Sequence, residues 1–227
     1  MIKVHHLENS RSQRVIWLLE ELGASYEIIT YQRDPRTQRA SNALKRVHPL
    51  GKSPVISDTD RQDRVVAESA AILDYLVDRF DDEKRLRPAM DSEAGLRYRF
   101  WMHHAEGTAM PPLLMRLVMS QLGKPPVPAL IRPIARGLAR GMENKFLDPE
   151  VENLMHFWEG ELNGRDWFTG DDFSAADIQM SFPLLALDAQ DALEGHPRLA
   201  AVIDSFRDRP AYRRTVEKVG EFSVPGG

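Results

Sequence analysis

Apolar residues open the chain in strand fashion, from Met1 to Val4, and then switch to helical spacing at Val15, Leu18, Leu19 and Leu22, with Ile16 and Trp17 alongside. Gly23 is placed to end that helix as its C-cap. Tyr26 to Tyr31 reads as a second strand, and the polar, basic stretch that follows as at most partly helical. "SPVIS" and "DRVVA" are short strand patterns separated by a tight polar connection, so they read as a hairpin. Directly after them, Ile72, Leu73, Leu76, Val77 and Phe80 form one helical stripe.

The order through residue 80 is therefore β-α-β-(α)-β-β-α. A charged linker, "DDEKRLRPAMDS", follows, and strand patterns then vanish. Helical periodicity occupies roughly 91–120, 127–162, 174–192 and 197–219. The change of pattern divides the chain into an α/β part, 1–82, and an all-α part, 91–227.

Two helix starts carry capping signals. Ser10 is followed three residues on by Gln13, the spacing of a capping box. Ser174 and Asp177 repeat the pattern in "DFSAADIQM", with Phe173 and Ile178 placed as a hydrophobic staple. The second is structural. The first has two readings: Ser10 caps its own helix, or it presents a hydroxyl to an anion held at the helix start, where backbone N–H groups point outward.

Composition narrows the chemistry. The chain has no cysteine, which excludes disulfides, thiolate metal sites and a CxxC centre. Any thiol must arrive on a ligand. A net charge of -4 gives no reason to expect nucleic acid or an anionic membrane as partner. No apolar run is long enough to span a bilayer, the amino end lacks the apolar core of a signal peptide, and a cytoplasmic location is expected. His103, His104 and Glu106 invite a metal reading, but adjacent histidines lie on different sides of a helix, and no metal is expected there. Arg132, Arg136 and Arg140 recur every four residues as a basic stripe, either solvated or facing an acidic co-substrate. Trp101, Met102, Met110, Met115 and Met119 read as core, some of them able to wall a pocket.

Four segments, in order, resemble the cytosolic glutathione transferases: the strand–"ENSRSQR"–helix opening, "GKSPVI", "ESAAILDYL" and the "FSAAD" capping box. The opening and "WMHHAEGTAMPPLL" look closest to bacterial and fungal members of the serine type. The resemblance implies a thioredoxin-like N-terminal domain, an all-helical C-terminal domain, glutathione as co-substrate, a small hydrophobic electrophile and a homodimer. It places Ser53 before a cis-Pro54, Lys52 at the glycyl carboxylate, and Glu68 and Ser69 at the glutamyl end. Ser10 would then face the sulfur, with Arg11 beside it, and the activated thiol would attack an electrophile or a peroxide. His5 and His6 stand where other classes carry a tyrosine, and are expected at the cleft edge without an acid–base role. The alternative implied by the same fold is a glutathione-binding or interaction module without turnover.

Overall fold

The computed structural model describes residues 1–34, 40 and 42–223. A four-stranded sheet has the order β2-β1-β3-β4. Its strands are β1 (Ile2–Leu7), β2 (Tyr26–Tyr31), β3 (Val55–Asp58) and β4 (Arg64–Ala67). β1 and β2 run parallel, joined by the crossover helix α1 (Ser12–Leu22), whereas β3 pairs antiparallel with both β1 and β4. A single 3-10 turn, Thr59–Arg61, closes the β3–β4 hairpin. With α2 (Asn42–Val47) and α3 (Ser69–Phe80), this is the thioredoxin-like arrangement. Part of the basic stretch between β2 and α2 lies outside the described residues.

Among the described residues beyond α3, the named elements are helices: α4 (Glu93–His104), α5 (Met110–Gln121), α6 (Arg132–Met142), α7 (Asp148–Glu161), α8 (Ala175–Asp188), α9 (Pro197–Asp208) and α10 (Pro210–Val219). Two of the continuous stretches expected from periodicity contain a π turn, at Ala105–Ala109 and Glu143–Leu147. The stretch 197–219 is two helices, because Pro210 has no N–H to continue α9 and instead starts α10. Gly23 ends α1 with φ 61°, a left-handed conformation that glycine adopts without steric cost.

One apolar core joins the two parts. Trp17 of α1 is buried against Phe173, Phe206 and Tyr212, with ring centroids 5.6, 5.2 and 4.9 Å away. α8 is buried along nearly its whole length, and its start is fixed by Asp177. The Asp177 carboxylate accepts the Ser174 N–H and O–H, both at 2.8 Å, and the Phe168 N–H at 2.8 Å. Burial pushes its pKa up to about 6, against those hydrogen bonds, which pull it down.

Candidate active site

The chain enters α1 through Asn9 at φ 49°. Arg11, not Ser10, takes the N-cap position, already in right-handed helical conformation, so the helix begins one residue later than a Ser10 cap requires. The expected Ser10–Gln13 capping box is absent. Gln13 turns away and its side chain donates to the Gly220 carbonyl at 3.1 Å. Ser10 Oγ instead accepts the Ser12 N–H at 3.3 Å and lies 2.7 Å from Ser12 Oγ.

Ser12 is the hinge of a short hydroxyl chain that the sequence pattern did not single out. Its Oγ is 2.9 Å from His6 Nδ1 and accepts the Leu7 N–H at 3.4 Å. On the other side, Ser10 Oγ reaches Ser53 Oγ at 3.3 Å, and Ser53 donates to the His5 carbonyl at 3.1 Å. The histidines are not at the cleft edge. His5 lies in the sheet between Tyr31 and Ser57, each 2.9 Å away, and His6 sits behind Ser12. Burial lowers the pKa of both, so each favours the neutral ring.

Ser10, Arg11, Lys52 and Ser53 line one cleft of about 820 Å³, together with Arg33 and Phe182. The Ser53–Pro54 bond is cis. Lys52 is exposed at the rim and has no ion pair among the described residues. It follows Gly51, whose φ of 58° and lack of a Cβ matter: a Cβ would fall 2.6 Å from Lys45 Cγ. Arg11, Arg33, Lys45 and Lys52 thus line the cleft beside one carboxylate, Asp34, with the Phe182 ring on the helical side.

Glu68 and Ser69 are not among its lining residues. Glu68 is exposed and held at φ 72°, uncommon for a residue with a side chain. Ser69 is buried, and its Oγ accepts from Arg14 Nη2 at 2.9 Å. Arg14 is the second residue missed. Only 2% exposed, it also donates to the Gln179 carbonyl at 2.6 Å and to Glu106 at 2.5 Å. Burial pulls its pKa down to about 10, against the attraction of Glu106. Burial raises Glu106 in turn, but Arg14 and Arg11 outweigh it and hold the carboxyl below its ordinary range. Arg11 donates through Nε to both Glu106 oxygens, at 2.9 and 3.0 Å, and lies over the Phe182 ring at 4.8 Å. Its charge is therefore already partnered.

The other candidates lie elsewhere. His104 accepts the Trp158 indole N–H at 2.9 Å while Glu106 serves the arginines, so the two histidines and Glu106 take separate surroundings. Trp101, Met102 and Met110 are core, Met115 is exposed, and neither these nor Met119 line the cleft. The Arg132, Arg136 and Arg140 stripe lies along α6, away from it.

A thioredoxin-like sheet thus opens onto a helix start, with a hydroxyl and several cationic side chains along one cleft. The comparisons with known proteins give the family. Residues 1–78 match the glutathione S-transferase N-terminal domain, and residues 112–210 the C-terminal domain. Glutathione S-transferase 3 of Schizosaccharomyces pombe is 37% identical over 96% of this chain and 88% of its own length. Glutathione S-transferase 1 of Saccharomyces cerevisiae is 33% identical over 96% and 95%. A glutathione S-transferase structure from Actinobacillus pleuropneumoniae superposes with TM-score 0.72 at 31% identity, over 96% of this chain and 93% of that one. The chain belongs to the glutathione S-transferase family, enzymes that take glutathione as co-substrate. Among the described residues, no helix is long and apolar enough to cross a membrane.

Proposed function

We propose that this transferase activates the glutathione thiol at Ser10, as a serine-type enzyme, for attack on a small hydrophobic electrophile or a hydroperoxide. The observation that carries this reading is the hydrogen-bonding of Ser10. Its oxygen accepts the Ser12 N–H, and Ser12 Oγ is held from behind by His6 and the Leu7 N–H. With Ser12 donating to Ser10, both lone pairs of Ser10 are used; because Ser53 donates to the His5 carbonyl, the Ser10 proton goes to Ser53 Oγ and can be turned to a ligand in the cleft. The 3.3 Å contact to Ser53 is long and lies at the cleft wall, where an arriving sulfur would replace it.

A free thiol titrates near 8.5, and lowering this by about two units takes roughly 2.7 kcal/mol. One hydrogen bond to a charged group supplies about 1.5–3 kcal/mol. The N–H groups at the start of α1 add to it. Arg11 contributes less than its position in sequence suggests, since Glu106 already neutralises it.

Glutathione is extended, with a carboxylate at each end and an amine on its glutamyl residue. In this reading residues 1–82 bind it: Lys52 meets the glycyl carboxylate, Ser53 pairs with its backbone, and Glu68 and Ser69 take the glutamyl end. Arg14 holds Ser69 from beneath. Residues 91–227 supply the electrophile pocket, beginning at Phe182, and the working unit is a homodimer. The test is the absorbance titration of the bound thiol in wild type and Ser10→Ala. A lowered pKa that rises on substitution supports activation by Ser10. An unshifted thiol, with no turnover of an aryl halide or hydroperoxide, leaves the alternative of a binding module.

A further inference from the structure

We infer that Glu152, His156 and His196 form a binding site for a divalent transition metal such as zinc, on the helical part and remote from the cleft. Glu152 and His156 are four residues apart on α7 and so share one face. His196 is the N-cap residue of α9. Their ligating atoms all lie within 4.8 Å of one another. Both imidazole Nε2 atoms converge on the same oxygen, Glu152 Oε1, at 3.1 and 3.2 Å.

The two nitrogen–oxygen separations match the edge of a tetrahedral centre, and the third pair, within 4.8 Å, closes on it by a turn of the exposed His156 side chain. Zinc with bonds of about 2.0–2.1 Å to nitrogen and oxygen sets adjacent ligand atoms about 3.3 Å apart. Two nitrogens and one carboxylate oxygen form a donor set for zinc and related late transition metals, not for calcium or magnesium. A water would complete the fourth position.

The surroundings isolate this set. His196 is 2% exposed, and its Nδ1 has no hydrogen-bond partner, so its polar contact runs through Nε2 alone. The neighbouring Glu159 is committed to Arg198 and to the Arg198 and Leu199 N–H groups, which leaves Glu152 as the carboxylate of the cluster. His156 and Glu152 are exposed, so an ion enters from solvent without any opening of the fold. Once bound, it ties α7 to the start of α9.

The test is equilibrium dialysis of the untagged full chain against zinc, followed by metal analysis. The variants are His156→Ala and Glu152→Gln, exposed positions whose substitution leaves the core intact. Wild type is expected to hold one zinc per chain. Each variant is expected to lose roughly 100-fold or more in affinity, since even residues that only orient a ligand account for about 10–100-fold. Glutathione turnover is expected to stay unchanged in both. A wild-type chain that binds no zinc at micromolar free metal, or zinc retained at wild-type affinity in either variant, overturns the assignment and leaves a hydrogen-bonded His–Glu–His cluster.

Discussion

Ser10 and Ser174 carry the same signal, a serine ahead of a helix with a polar partner three residues on, and the fold uses them in opposite ways. Ser174 is enclosed. Its N–H and O–H both go to Asp177, the same carboxylate takes the Phe168 N–H, and the group fixes where α8 begins. Ser10 stands outside its helix, because Arg11 takes the N-cap and Gln13 has gone to Gly220. The Ser10 proton goes only to Ser53 Oγ, over a long 3.3 Å contact, and in the proposed reading it turns from there to the ligand. On that reading, one helix start serves stability and the other serves chemistry.

Breaking the enclosed start has the largest expected effect. Asp177→Ala leaves three buried donors unpaired and is expected to cost about 4 kcal/mol, a drop of roughly 10 °C in Tm by calorimetry. The glutathione KM of the protein that still folds should hardly change. Titrating the same residue gives the next effect. Its pKa is raised from 3.8 to about 6, so between these values the folded chain keeps a proton that the unfolded chain has released. Stability therefore falls as pH rises through that window, by on the order of 3 kcal/mol. Denaturant titrations at pH 4, 5 and 6 should show this slope in wild type and lose it in Asp177→Asn.

At the open start the sign of the trade reverses. Ser10→Ala, which orphans the single Ser12 N–H, is expected to lower Tm by only a few degrees, well short of Asp177→Ala, while the bound thiol pKa rises toward about 8.5. Its kcat/KM should fall about 10- to 100-fold, as the loss of one charge-assisted hydrogen bond requires. A Ser10→Ala protein that loses stability in the manner of Asp177→Ala would erase the distinction between the two serines. Smallest is Lys52→Ala, where an exposed ion pair of about 1 kcal/mol or less is at stake. It should raise the glutathione KM by about two- to fivefold, and the difference should shrink as salt is added.

Legibility from sequence followed how local the determinant was. β2 and the Gly23 cap were readable because a run of β-branched and aromatic residues and a left-handed glycine are properties of a few neighbouring residues. Lys52 and Ser53 came from the resemblance, and they do share a cleft with Ser10 and Arg11. Arg14 was legible in principle: it falls one helical turn before Leu18, on the apolar face of α1, where a charge demands a partner. Its partners, Ser69, Glu106 and Gln179, lie 55, 92 and 165 positions away, and no local pattern names them. Ser12 was overlooked because a capping box explains Ser10 without it. The π turns were not read because each lies inside a long helical stretch, and a shift of phase is hard to see over a few turns on either side.

The bulge at Ala105–Ala109 has a consequence of its own. Each residue of a helix advances the side chains by about 100°, so one added residue resets the angular phase of all that precede it relative to all that follow. Glu106 sits inside that reset, which aims it at Arg11 and Arg14. Arg11 and Arg14, both over the Phe182 ring, share that one carboxylate. The irregular turn thus carries the carboxylate through which the helical part meets two arginines of α1 and its start.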